Sequence, residues 1–528
     1  MAEEKQSLLY KLKPITDRMP AVRRPEGHVH FRTKIMWVIL ILLLYFALTN
    51  IWLYGLERAR IIDFFSSLRA ILAGQQGSLM HLGIGPIVTG SIIMQLFAGA
   101  KIIKLDLSKD EDKSVYQGTQ KFIVVIMIFV EAVPQVFGFL TPADTFVTNL
   151  NGFSPDNGKT LALTILVLQL VAGSYLVFLM DEVVSKWGIG SGISLFIAAG
   201  VAQQIFTGTF NWEPSNPNSA VSIQNPPAGT IPKTFYLLSA MPASQLAGGG
   251  LETILLRQPN PVIALVGTII IFFLVAYLES TRIELPLAHG QARGARGRYP
   301  IRLIYASNIP VILVAAVLAN VSMFSLLFWQ HPEWPLVGQQ WWIGAYPDPS
   351  TITAESQLST STPIGGLAWY TQTINGPTQW LMPLFSPAYE SALLGHSHWQ
   401  LMLHLIVYVG LFVGGSILFS KFWIETTNMG PEAVAKQIER SGMQIPGFRR
   451  DPRVLRRVLA RYIPVVTVIG GATVGALAAG ADMIGTVGQA SGTGVLLSVG
   501  IMIQLYEAIG REQMMEMHPI LRSFFGVE

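Results

Sequence analysis

The chain has no cysteine among its 528 residues. Disulfides, thiolate metal sites and cysteine nucleophiles are therefore excluded. Charge is scarce as well: Asp, Glu, Lys and Arg together make up 13% of the residues, against roughly 25% in soluble domains. No Gly-x-x-x-x-Gly-Lys-[Ser/Thr] phosphate loop occurs, which removes ATPases of that kind. The first 34 residues lack the short apolar core of a cleavable leader; they are polar, hold eight Lys and Arg, and lead into a full-length apolar span. The net charge of +4 is too small to suggest nucleic-acid binding by itself.

What is present is apolar. Hydrophobic residues reach 51%, clustered in blocks of 18 or more, the mark of a polytopic membrane protein. Ten helical spans are expected, at 35–54, 79–99, 119–140, 161–180, 188–208, 261–278, 303–327, 401–423, 462–481 and 490–510. Each is near the ~20 residues needed to cross the hydrocarbon. Loop charge sets their direction. Segment 330–398 contains no Lys or Arg, whereas 425–461, across one span, contains eight. With the N-terminus inside, thirty of the 36 basic residues lie on the cytoplasmic side, as the positive-inside rule requires.

Ten spans divide into five and five, and an odd number per half implies inverted halves. Span five opens with Gly190-Ser191-Gly192-Ile193 and span ten with Gly492-Thr493-Gly494-Val495. Either these match as repeats, or they coincide because small residues recur where membrane helices pack. The expected organisation is an all-α membrane protein. Residues 1–34 form a cytoplasmic segment, 35–208 the first half, 209–260 an external loop, 261–510 the second half, and 511–528 a cytoplasmic tail. The second half includes an external loop at 330–398 and the basic inner loop at 425–461. Both external loops are rich in Pro, Gly, Ser, Thr and Asn. Trp334, Trp341, Trp342, Trp369 and Trp380 in the second are read as residues of the membrane–water boundary.

Segment 55–77 stands apart. Leu56, Ile61, Ile62, Phe65, Leu68 and Leu72 recur at helical spacing, interrupted by Glu57, Arg58, Arg60, Asp63 and Arg69. It is too charged to span and too apolar to be fully solvated. It is either a helix lying on the membrane or a small helix tucked into a cavity and removable. Next, Leu82-Gly83-Ile84-Gly85-Pro86-Ile87-Val88-Thr89 favours a broken helix. Spans five, seven and ten likewise set branched aliphatics beside small residues or proline, in Gly192-Ile193-Ser194-Leu195-Phe196-Ile197, Ser307-Asn308-Ile309-Pro310-Val311-Ile312 and Gly494-Val495-Leu496-Leu497.

These blocks, with Leu105-Asp106-Leu107-Ser108, Gln117-Gly118-Thr119-Gln120-Lys121, Pro286-Leu287-Ala288-His289-Gly290, Tyr299-Pro300-Ile301, Glu425-Thr426-Thr427 and Gly447-Phe448-Arg449-Arg450, resemble the SecY family. That family comprises the large subunits of the Sec protein-conducting channel, and the match is to its archaeal and eukaryotic branch. The resemblance runs in order along nearly the whole chain; the two external loops depart from it by their length.

The resemblance implies two inverted five-helix halves around an hourglass pore. Its constriction would be a ring of Ile84, Val88, Ile193, Ile197, Ile312 and Leu497, with 55–77 as the plug. A lateral gate between spans two and three on one side and seven and eight on the other would carry Thr89, Glu131 and Asn320. Arg293, Arg296 and Arg298, with Arg449 and Arg450, would meet the ribosome; setting topology or binding anionic lipid is the plainer role for such arginines. Implied partners are a SecE/gamma-type subunit, a beta-type subunit, the ribosome, a nascent polypeptide with its signal sequence, the signal recognition particle receptor and membrane lipid. The membrane would be the plasma membrane, or the endoplasmic reticulum in a eukaryote, with both termini cytoplasmic.

Two other classes compete. A secondary transporter also uses inverted repeats and broken helices, but needs polar ligands near the midplane; the acidic candidates are Glu131, Glu279 and Asp482. An enzyme is disfavoured because Ser191 has no evident intramembrane histidine as its base. His28/His30 and His396/His398 are read as solvated rather than metal-binding, and no cofactor or metal is expected.

Overall fold

The computed structural model describes residues 8–27, 29–57, 73–99, 102–103, 105, 110–152, 157–216, 219–289, 296–302, 309–347, 362–427, 429–440, 443–444, 452–488 and 490–517. Ten long helices dominate the described residues. They are α1 (Phe31–Thr49), α2 (Gly85–Gly99), α3 (Asp110–Phe139), α4 (Gly158–Trp187), α5 (Gly192–Phe210), α6 (Val262–Ser280), α7 (Ile309–Gln330), α8 (His398–Thr426), α9 (Pro452–Ile484) and α10 (Gly492–Met517). Among the described residues, nine helices are long and apolar enough to cross a membrane, all of these but α2.

Helix α2 is shorter than the apolar run at 79–99 suggests. It has 15 residues, about 22 Å of rise. Leu79–Ile84 is apolar but forms turns, and Gly83 takes a positive φ of 54° there. At α4 the helix instead outlasts the apolar run, continuing past Met180 to Trp187. This places in the helix two acids that the sequence puts at a loop, Asp181, half-buried, and Glu182, buried. Helix α8 starts where a capping box dictates: the Ser397 hydroxyl accepts the Gln400 N–H, and the Gln400 side chain accepts the Ser397 N–H at 2.8 Å.

The spans share one large apolar core that draws on α1, α2, α3, α4, α5, α6, α7, α8, α9 and α10. A satellite core packs Leu53 and Leu56 against α3 and α4, through Ala132, Val136, Leu166 and Leu170. A third core joins the ends of α8 and α9 to a short helix, Pro431–Arg440, through Ile424, Val434, Ile438, Leu455 and Leu459.

The chain is not wholly helical. Strands β1 (Arg282–His289) and β2 (Arg296–Arg302) form an antiparallel hairpin after α6, and β3 (Met443–Gln444) pairs with β1 from the other edge. The register sets Ala288 opposite both Arg296 and Gln444. The two basic loops are thereby joined in one three-stranded sheet.

The long external loops are also more ordered than their composition suggests. The first holds a helix, Thr230–Ala240, and the second holds short helices such as Gly366–Thr371. Two readings of side chains in the second loop are corrected. Trp369 is buried rather than at a boundary, and stacks on His396 with ring centroids 3.9 Å apart. His396 is therefore not a solvated histidine; its Nε2 also lies 2.9 Å from the Ile364 carbonyl.

Candidate functional site

The six aliphatic residues of the expected ring come from four separate segments. Ile84 precedes α2 and Val88 lies in its first turn; Ile193 and Ile197 lie on α5, Ile312 on α7, and Leu497 on α10. All but Ile193 are buried, and Ile193 packs against the same central core that holds the other five. A cavity of about 710 Å³ on the side of the basic loops reaches Ile193, lined also by Arg24, Ser91, Lys121 and Asp181. A vestibule with charged side chains in its walls thus ends at apolar side chains.

The starts of two helices that carry expected ring residues are held by carboxylates, one half-buried (Asp181) and one buried (Asp482). Asp181 Oδ1 accepts the Ile193 N–H at 2.9 Å. Asp482 Oδ1 accepts the Thr493 N–H at 2.9 Å, and its Oδ2 accepts the hydroxyls of Thr493 and Tyr408, each at 2.7 Å. Both carboxylates satisfy N–H groups that a helix start leaves without intrahelical partners. Only glycine fits beside them. A Cβ on Gly192 would lie 2.6 Å from Asp181 Cα, and one on Gly492 would lie 2.1 Å from the Ala481 carbonyl carbon. Asp482 counts among the acids read from sequence; Asp181 and Tyr408 do not. The available signal was an acid ten or eleven residues before each Gly-rich helix start.

The expected gate residues converge. Thr89 on α2 donates its hydroxyl to Glu131 Oε1 on α3 and also to the Gly85 carbonyl. Asn320 on α7 faces the same small cavity as both, with Gln135, His81 and Gly74. Its side chain donates to the Ala316 carbonyl at 3.0 Å. Gln135 Nε2 points to Met323 Sδ, while its buried Oε1 has no partner among the described residues. The cavity leaves about 20 Å³, room for roughly one water molecule. On its outer side lies an apolar groove of about 400 Å³ lined by Thr89, Met127, Val321 and Phe324. The seam between α2–α3 and α7 is thin, polar within and greasy without.

Of the expected plug, Leu56 is described, and it packs in the satellite core rather than the central one. Ile61, Ile62, Phe65, Leu68 and Leu72 lie outside the described residues. The ends of the segment are clamped together: Leu53 N–H donates to the Gly77 carbonyl at 2.9 Å, and Leu79 N–H to that of Ile51 at 2.8 Å. Its far end, Ala73, is in the central core, and the Tyr45 hydroxyl donates to its carbonyl at 2.8 Å.

Arg296 and Arg298 sit on β2, in register with Ala288 and Pro286. Arg293, Arg449 and Arg450 lie outside the described residues. On the same side, Glu182 gathers Lys121 of α3, Lys186 of α4 at 3.1 Å and the Val22 N–H at 2.8 Å. This network, unread in the sequence, straps the N-terminal segment over the vestibule. Among the described residues, no three His, Asp or Glu side chains gather as a metal site would need.

Long apolar helices gathered on one shared core, with a small polar cavity between α2–α3 and α7, define a polytopic helical membrane protein. The comparisons agree. Residues 78–506 match the SecY family model and 43–77 match the plug domain of Sec61p. The chain belongs to the SecY family. It is 44% identical to the protein translocase subunit SecY of Archaeoglobus fulgidus, over 99% of each chain. It superposes on a solved protein conducting channel with a TM-score of 0.72 at 35% identity, covering 96% of this chain and 98% of that one. Sec61 from a canine ribosome–channel complex of the endoplasmic reticulum matches with a TM-score of 0.70, also at 35% identity and with the same coverage.

Proposed function

We propose that this chain is the pore-forming subunit of a protein translocation channel. It passes secretory polypeptides across the membrane and releases signal and transmembrane helices sideways into lipid. The observation that carries this reading is the convergence of buried Ile84, Val88, Ile197, Ile312 and Leu497, with half-buried Ile193 packed against them, drawn from four segments into one core. A collar of such side chains offers no hydrogen bonds, so a threading chain slides whatever its sequence. Around an empty pore the same collar disfavours a continuous water column.

The seam supports sideways release. Thr89, Glu131 and Asn320 form a polar lock of modest strength, beside a groove an apolar helix would fill. Segment 55–77, clamped at both ends, is the plug. The chain catalyses no reaction, and the driving force comes from a partner. The joined basic loops fit the ribosome, with Arg293, Arg296, Arg298, Arg449 and Arg450 as contacts, because a guanidinium forks onto RNA phosphate. A SecE/gamma-type and a beta-type subunit complete the channel, and the signal recognition particle receptor delivers its clients. Both termini lie in the cytoplasm. The similarity to archaeal relatives favours the plasma membrane over the endoplasmic reticulum.

A solute transporter is not favoured. The carboxylates it would use are committed inside the protein, Glu131 to Thr89 and Asp482 to Thr493 and Tyr408. The deciding experiment crosslinks a stalled nascent chain to photoreactive probes at Ile84, Ile193 and Leu497. Adducts at all three are expected. Adducts confined to lipid-facing control positions would refute the constriction.

A further inference from the structure

Helix Thr230–Ala240, in the long loop between α5 and α6, wears its amphipathy inside out. Its one charged residue, Lys233, is 1% exposed, and Nζ donates to the carbonyls of Arg257 at 2.7 Å and Pro259 at 3.0 Å. Its outer face shows Ile231, Phe235 and Leu238, exposed by 45%, 68% and 52%. These fall at i, i+4 and i+7, one stripe of the helix. A helix bordered by water would turn its lysine out and its phenylalanine in.

The position of the helix says what borders it. The Thr230 hydroxyl donates to the Gly208 carbonyl at 3.3 Å in the last turn of α5, and the Gly229 N–H to the Asn211 carbonyl at 2.8 Å. From the other side, the Asn260 side chain donates to the Ala228 carbonyl at 2.7 Å, just ahead of α6. The helix is thus fixed across the ends of two membrane spans, on the face of the bundle opposite the β1–β2 hairpin. Phe210 at the end of α5 and Trp212 just beyond it are exposed, as aromatics at a membrane boundary are. The apolar stripe continues the lipid-facing surface of these spans, and the helix offers no exposed charge to orient a protein partner.

We propose that Thr230–Ala240 is an interfacial helix whose Ile231, Phe235 and Leu238 lie in the lipid of the leaflet opposite the basic loops. It holds the connection between the two halves of the channel at the membrane surface. Such a helix binds through buried apolar area.

The absence of cysteine makes the test clean, since any introduced thiol is unique. Spin labels are placed singly in Phe235→Cys and Leu238→Cys, with Glu333→Cys in the other long loop as a water-exposed reference. All three positions are exposed, so labelling leaves the core alone. The full chain is reconstituted in vesicles of phosphatidylcholine and phosphatidylglycerol. The expected result is a several-fold higher ratio of oxygen to nickel-chelate collisions at 235 and 238 than at 333. Nickel-favoured access at both helix positions would overturn the proposal. So would spin–spin broadening that disappears on dilution with unlabelled chain, because a second copy would then cover the face.

Discussion

Asp181, near the end of α4, holds the N–H of Ile193 at 2.9 Å in the first turn of α5. Asp482, near the end of α9, does the same for Thr493 at the start of α10. Each carboxylate fixes the start of a helix that brings aliphatic side chains to the proposed constriction. The two sit in corresponding places in the two halves and at opposite faces of the bundle, as an inverted repeat demands. Loss of Asp482 leaves buried donors without an acceptor, at about 1–3 kcal/mol for each orphaned group; loss of Asp181 leaves the part-buried Ile193 N–H, at a smaller cost. Asp482→Ala is expected to lower Tm in detergent more than Asp181→Ala, because Tyr408 and Thr493 both lose a partner. Asparagine at either position keeps an acceptor and loses less. Thermal melts followed by tryptophan fluorescence check the order.

Shortening the ring is expected to open the resting channel. Ile312→Gly and Ile197→Ser remove buried branched side chains and leave space that water can enter. In planar bilayers the variants should show more resting ion leak, and in translocation assays they should accept weaker signal sequences. Conductance equal to the parent would argue against placing these residues at the constriction.

The Thr89–Glu131 contact is expected to act as a lock on sideways opening. Interhelical hydrogen bonds in membranes contribute about 0.6–2 kcal/mol. A double-mutant cycle with Thr89→Val and Glu131→Ala should return a coupling in that range. Thr89→Val should raise insertion of clients with marginal signal helices in proteoliposomes, while Glu131→Gln, which keeps an acceptor, changes little.

Lys233 gives the extramembrane part a signature in pH. Burial pushes its pKa from 10.5 down to about 8, because a low-dielectric site disfavours the ammonium form. Between those values the unfolded chain binds more protons than the folded one, so stability rises with pH. Relative to Lys233→Met, the parent should gain Tm as pH climbs from about 8 toward 10.5. Parallel Tm profiles would show that Lys233 titrates normally.

Charge reversal in the basic loop should uncouple docking from folding. Arg449→Glu is expected to reduce ribosome co-sedimentation, with the difference from the parent shrinking as salt rises because the variant's salt dependence is shallower. Membrane insertion of the subunit should be intact, as read by alkaline extraction. Equal co-sedimentation at moderate salt would remove Arg449 from the interface.

Hydropathy sets nearly all the spans because lipid selects long apolar runs directly. It errs where the backbone, not composition, decides. Leu79–Ile84 is apolar yet turns at Gly83, and α4 carries Asp181 and Glu182 inside because other elements bring partners to them. The paired small-residue motifs at 190–193 and 492–495 are visible in the chain. The carboxylates that pin them are visible only as scattered acids.

By itself, then, the sequence determined that this is a many-spanned helical membrane protein, which side carries its positive loops, and which aliphatic residues neighbour its helix breaks. Those properties follow from transfer free energies and local backbone chemistry, which act residue by residue. Tertiary structure alone decided that Thr89 meets Glu131 across 42 positions, that β3 joins the β1–β2 hairpin to the loop after α8, and that Lys233 turns inward while Phe235 turns out. Each depends on what a neighbouring element offers as a hydrogen-bond partner or as cover, and no local pattern encodes the identity of a distant neighbour.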